Sequence, residues 1–378
     1  MYADVYEVES LAYGKSSLAG LDHFVLEHKT VLPADALLTT PNLSLYSFDD
    51  DTRRAVFVET SPEVDLSAAP FYYLAQKEHA QRIFTVPYSV FNALAAELLD
   101  PTQLILLYSV GRCGSTLLCR ALGELGNVTT FSEPDAYTHI AGMRPPDGSR
   151  DQELTELARS ATRFLSLNTA AIHEGIFLLK FRSWCTEVAD LLQGACPDAH
   201  ALFLARDFTG WLRSMGRLSK VHDPDREASY QRNKPNPIGF PYPHDRYISL
   251  LRADPTPPET RLEDIALHWT SITKRFLDLH ERGVIRDSLT YDDLIQRPER
   301  ALQAVATACH IPVSNLDDAL AVFEHDSQAG TELSGRTLRE QSVHELSDED
   351  IKRAEAVALR YRLGPDITSH LPGDLPSR

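Results

Sequence analysis

Positive charge is scarce in this chain. Its 378 residues carry 37 lysines and arginines against 54 aspartates and glutamates, a formal net charge of −17. Nucleic acid is gripped by broad basic surfaces, so no nucleic-acid partner is expected. A small anion needs only a few local cations and some aimed backbone N–H groups, so that class stays open. Cysteine is sparse too: Cys113, Cys119, Cys185, Cys196 and Cys309 make an odd number with no C-x-x-C pair. That pattern excludes a disulfide framework and a zinc site as first readings, so no metal is expected and the cytoplasm is the expected compartment. No apolar run approaches the length of a membrane span. The opening MYADVYEVES has neither a basic nor an apolar leader region, and no membrane partner or secretory signal is expected. G-x-G-x-x-G is absent, which disfavours a dinucleotide Rossmann site. There are no internal repeats, and nothing in the pattern sets an oligomeric state.

What is present is ordinary globular material, 43% apolar and 24% charged, enough for a full core. Residues 1–100 read as an irregular, mixed α+β extension with a packing or substrate-shaping role. Short strand-like runs lie in DHFVLEHKTVL, LSLYSF and AVFVET, and SVFNALAAELL is helical. From residue 101 the pattern changes. QLILLYSV, IFLLKFRS and HALFLAR are continuous apolar runs, as strands buried on both faces should be. Helical segments alternate with them: STLLCRALGEL, CTEVADLLQGA and FTGWLRSMGRL. This alternation implies a three-layer, doubly wound parallel α/β sheet over 101–378. Residues 222–259 are rich in proline and polar groups and read as a lid-like loop. SDEDIKRAEAVALRYRL opens with a serine N-cap and acids in its first turn.

Chemistry concentrates at LLYSVGRCGSTLLCRAL. A buried strand runs into a Gly-x-x-Gly turn, and a helix opens at Ser115 and Thr116. Successive backbone N–H groups then converge at a helix N-terminus, which favours an anion. Gly111 and Gly114 permit close approach, Ser115 and Thr116 add hydroxyls, and Arg112 adds charge. The segment departs from G-x-x-x-x-G-K-[ST]: Ser109 stands where the first glycine would be and Ser115 replaces the lysine. That lysine serves a triphosphate. A P-loop-like turn holding a diphosphate-like ligand without Mg²⁺ fits better than a P-loop small-molecule kinase. The bland alternative is a generic strand–helix turn.

A second anion site lies in HALFLARDFTGWLRSMGRL. Arg206 ends a buried strand, and Ser214 lies eight residues on, in the next helix. Ligands of parallel sheets gather outside the carboxyl ends of the strands, and an arginine fork with a hydroxyl suits a terminal phosphate. The alternative is an arginine paired with Asp207 or with a helix end.

GRCGSTLL and LARDFTGWLRSM, followed later by LTYDDLIQRPERAL, resemble in order the sulfotransferase superfamily over about residues 103–365. The resemblance implies that the donor co-substrate is 3′-phosphoadenosine 5′-phosphosulfate. Gly111, Arg112, Cys113, Gly114, Ser115, Thr116 and Leu117 would hold its 5′ end. Arg206 and Ser214 would hold the 3′-phosphate, and a loop at Ser334, Gly335 and Arg336 would close over it. Arg112 stands where cytosolic members often have lysine, and Cys113 where serine is commoner. The implied reaction is metal-independent in-line transfer to a hydroxyl or amine of a small molecule or glycan. Such transfer calls chiefly for positioning and charge neutralisation, plus a base for the acceptor. Glu133 is the first candidate base and His139 the second. Arg112 would steady the leaving oxygen, and Lys180 and Arg182 could reach the transferring group. His222 is a weaker candidate. A catalytically inactive nucleotide-binding or scaffold protein of the same fold is the alternative function.

Overall fold

The computed structural model describes residues 1–14, 18–167, 169, 174–233, 254–327, 345–364 and 366–375. These residues form two compact units. One comprises Met1–Ile105 with Asn127–Ala199, and the other Leu106–Gly126 with the described residues from His200 onward.

The first unit opens with a regular five-stranded antiparallel sheet, where the sequence suggested an irregular segment. Its strands are β1 (Tyr2–Leu11), β2 (Phe24–Pro33), β3 (Leu43–Asp49), β4 (Arg54–Thr60) and β5 (Ala80–Pro87), in the order β2-β1-β5-β4-β3. β1 and β5 escape a sequence reading for a physical reason. Ala3 and Val5 of β1 are buried, but Asp4 lies between them and exposed Glu7 and Glu9 follow at the same parity, a residue type depleted in strands that breaks the apolar alternation. Helices α1 (Ala36–Thr39), α2 (Tyr72–Glu78) and α3 (Tyr88–Ala95) complete this segment. Phe91 of α3 stacks on Phe164 of α6 (Asp151–Ser166), with ring centroids 5.1 Å apart, and Phe57 of β4 meets both rings.

The second sheet has five parallel strands: β6 (Gln103–Ser109), β7 (Val128–Ser132), β8 (Ile176–Lys180), β9 (His200–Ala205) and β10 (Asp287–Thr290). Their order is β10-β9-β6-β8-β7. After β6 the chain moves to one side of that strand, and β9 and β10 then build the other side. The sheet is therefore doubly wound, with its switch point between β6 and β9. α/β sheets bind ligands at such a point. α4 (Ser115–Leu125) follows β6, and α5 (Ala136–Met143) follows β7. The CTEVADLLQGA run begins as a 3₁₀ turn, Ser183–Val188, before α7 (Ala189–Ala195).

In the second unit α8 (Phe208–Ser219) follows β9, and α9 (Pro224–Asn233) is a helix inside the segment expected to be a loop. Pro224 suits a first-turn position, and Asp225 and Glu227 stand where the helix dipole favours acids. Residues 234–253 of the expected lid lie outside the described residues. Then come α10 (Arg261–Glu281), α11 (Tyr291–Gln296), α12 (Pro298–Ala308), α13 (Leu316–Ala321) and α14 (Asp348–Arg360). α14 starts with a Ser347–Asp350 capping box. Phe203 of β9 stacks flat on Phe276 of α10 at 4.1 Å, and Trp211 and Trp269 are fully buried.

Burial also sets a pH response. His268 of α10 packs beside Trp211, and burial pushes its imidazole from 6.5 down to about 4. An unfolded chain takes up that proton below pH 6.5, and the folded one resists until about pH 4. Stability is full above the unfolded value and is lost as pH falls through this window. Burial lowers His139 and His200 in the same direction. We expect the urea midpoint to drop between pH 6.5 and 4, with a smaller drop in His268→Phe. An identical drop in the variant would refute the assignment to this histidine.

Candidate anion-binding site

The turn after β6 is built for close approach. Gly111 has φ 73°, Arg112 φ 49° and Gly114 φ 82°. Gly114 is the N-cap of α4, so no side chain caps that end. A Cβ at Gly114 would come within 3.1 Å of the Tyr291 ring and 3.3 Å of Leu294, and only glycine fits at such a φ without strain. Ser115 and Thr116 are buried in the first turn of α4, Cys113 is fully buried, and Leu117 is half-buried. The Gly111 N–H donates to Ser109 Oγ at 3.2 Å.

Arg206 follows β9 directly and is brought onto this turn. Its Nη1 donates to the Arg112 carbonyl at 3.0 Å, and Arg112 Nε donates to Ser214 Oγ at 3.3 Å. The Val110 N–H donates to Leu204 at 3.3 Å, and Trp211 Nε1 donates to the Val110 carbonyl at 3.1 Å. The two stretches, about ninety residues apart in the chain, are thus tied together at the switch point by backbone and side chain. The Arg206 guanidinium lies over the Tyr291 ring at 4.2 Å, a cation–π contact that fixes its plane. Arg206 Nε has no hydrogen-bond partner among the described residues, with Asp207 3.9 Å away.

The candidate bases lie in the first unit. Glu133 follows β7 with φ 61°. Its N–H donates to the Lys180 carbonyl at 2.6 Å. Lys180 Nζ donates to Glu133 Oε1, and Arg182 Nε lies 3.7 Å from Oε2. Arg182 also stands 2.9 Å from Oδ1 of the fully buried Asp135 and 4.1 Å over the Tyr73 ring. That N–H is not aimed along the 2.9 Å contact, so charge rather than a directed hydrogen bond carries the pair. His139 is buried, and its Nε2 donates to the Ala19 carbonyl at 2.6 Å. Burial, foremost, pushes its imidazole down. This geometry ties His139 to the segment before β2. His222 lies 3.7 Å from Asp350. Gly335 and Arg336 lie outside the described residues.

Among the described residues seven non-glycine residues have positive φ, and Arg112 and Glu133 are two of them. Backbone strain of this kind clusters at functional sites, which is support independent of any motif. Sequence reading passed over Tyr291, Asp135 and Tyr73. The first lies in the LTYDDLIQRPERAL segment, and the second is two residues beyond Glu133, so both had a signal. Tyr73 had none. Among the described residues no three or more His, Cys, Asp or Glu gather as metal ligands, and no helix is long and apolar enough to cross a membrane.

No family model matches the chain, and no curated protein matches it. Among the solved structures it is similar to are sulfotransferases. A sulfotransferase from Alicyclobacillus acidocaldarius is 15% identical with a TM-score of 0.36, over 69% of this chain and 97% of that one. A mouse sulfotransferase complexed with PAP is 11% identical with a TM-score of 0.32, over 74% and 83%. A retinol dehydratase in complex with androsterone and inactive cofactor PAP is 14% identical with a TM-score of 0.36, over 72% and 84%.

Proposed function

We propose that the chain is a sulfotransferase. It takes the sulfuryl group of 3′-phosphoadenosine 5′-phosphosulfate and passes it to a hydroxyl or amine of a small molecule or glycan, without a metal. The observation that carries this reading is the tie between Arg206, Arg112 and Ser214 at the switch point. One nucleotide with phosphate at both ends suits two anion cradles joined in this way. Two details fit that ligand: the Arg206 Nε lacking a hydrogen-bond partner, and the close approach that Gly114 leaves open.

In the proposed reaction the acceptor oxygen or nitrogen attacks sulfur, and the bond from sulfur to the bridging phosphate oxygen breaks. The turn N–H groups and Arg112 neutralise the charge that develops on the departing bisphosphate. Glu133, oriented by Lys180 and Arg182, is the proposed group that takes the acceptor proton.

Calorimetry with the 3′,5′-bisphosphate product in EDTA tests the donor reading. Micromolar or tighter binding is expected, unchanged by the chelator. Tight binding of ATP–Mg²⁺ with none of the bisphosphate would favour a kinase. Given a bound donor, Glu133→Gln should keep its affinity and lose at least about 100-fold in transfer. Bisphosphate binding by the unaltered protein without transfer to any acceptor would leave a nucleotide-binding scaffold.

A further inference from the structure

The first unit holds a cavity of about 570 Å³, within the usual range for small-molecule sites. It lies among the α1–β3 connection, the 3₁₀ turn Leu66–Ala68, strand β7 and the end of α6. Among the described residues its wall contains no lysine, arginine or histidine. The sole carboxylate among its described residues is Asp65, whose Oδ1 already accepts from the Ser67 N–H at 2.9 Å and hydroxyl at 2.6 Å. An anion entering here would lose water and meet no counter-charge, which is strongly unfavourable. This cavity is therefore unsuited to a phosphorylated nucleotide.

The wall does offer two other kinds of contact. Thr39 and Thr129 present hydroxyls with no side-chain hydrogen bond among the described residues, and Ser44 is positioned by Gln76 at 2.8 Å. Phe131 lies two residues beyond Thr129 on β7 and so shares its face. Its ring stacks on Tyr72 at 4.4 Å, and Leu38 extends the apolar surface.

We propose that this cavity binds an uncharged amphipathic molecule, with a hydroxylated head for the threonine wall and an apolar body for the Phe131 side. The assignment does not depend on the nucleotide reading.

Calorimetry with submicellar octyl β-D-glucoside tests it, with methyl β-D-glucoside as head alone and octanoate as the same tail bearing charge. The octyl glucoside should saturate at submillimolar concentration, and both controls should bind about tenfold more weakly or worse. Thr129→Val removes one hydroxyl at constant shape and should weaken it about fivefold. Leu66→Lys puts a cation in the wall and should turn the preference toward octanoate by about tenfold. Three results would overturn the proposal: no saturation by cooperatively folded protein, octanoate binding as well as the glucoside, or affinities that neither variant moves.

Discussion

Arg206→Ala is expected to weaken binding of the 3′,5′-bisphosphate by about 100-fold or more. Adenosine 5′-phosphosulfate, which lacks the 3′-phosphate, should change by less than about threefold. The difference follows from what the guanidinium does. One face lies on Tyr291 and Nη1 is held by the Arg112 carbonyl, so the fork is pre-oriented. Its Nε remains without a hydrogen-bond partner among the described residues. A charge-assisted fork on a phosphate depends on that planar geometry. Arg206→Lys keeps the charge and loses the fork, so it should fall between wild type and alanine. Calorimetry on both ligands reads the result directly. If alanine weakens both ligands equally, Arg206 merely supports the turn, and the 3′-phosphate must be held elsewhere.

The parallel half of the fold was legible because its strands are buried on both faces. LILLY, IFLL and ALFLA are unbroken apolar runs, and the glycines at 111 and 114 mark the turn between strand and helix. The N-terminal sheet was less legible. β2, β3 and β4 showed as strand-like runs, but β1 carries Asp4, Glu7 and Glu9 and shows no clean apolar alternation. The helix at Pro224–Asn233 hid in a proline-rich, polar stretch because it has little apolar surface to declare. The turn from strand to helix at 111–116 could be read because glycine placement marks it. The network around Glu133 could not, since Asp135, Arg182 and Tyr73 meet only through tertiary packing, and no spacing in the chain encodes that meeting.

That network carries the largest expected effect on stability. Asp135 is fully buried, and its Oδ2 accepts the Ala19 N–H at 2.8 Å while Oδ1 faces Arg182. Burial opposes the Arg182 charge, and Asp135 is the foremost of the groups that hold its pKa above the ordinary arginine value. Asp135→Ala removes that counter-charge and leaves the cation buried, with Glu133 at 3.7 Å already shared with Lys180. Breaking one side of such a pair costs about 3–5 kcal/mol, and the Ala19 amide loses its partner as well. The midpoint of thermal unfolding should fall by about 4–6 °C. Arg182→Met in the same chain should recover about half of the loss, because the stranded charge is then gone. A fall of less than about 2 °C in the single variant would mean that water reaches Arg182 and that the pair contributes little.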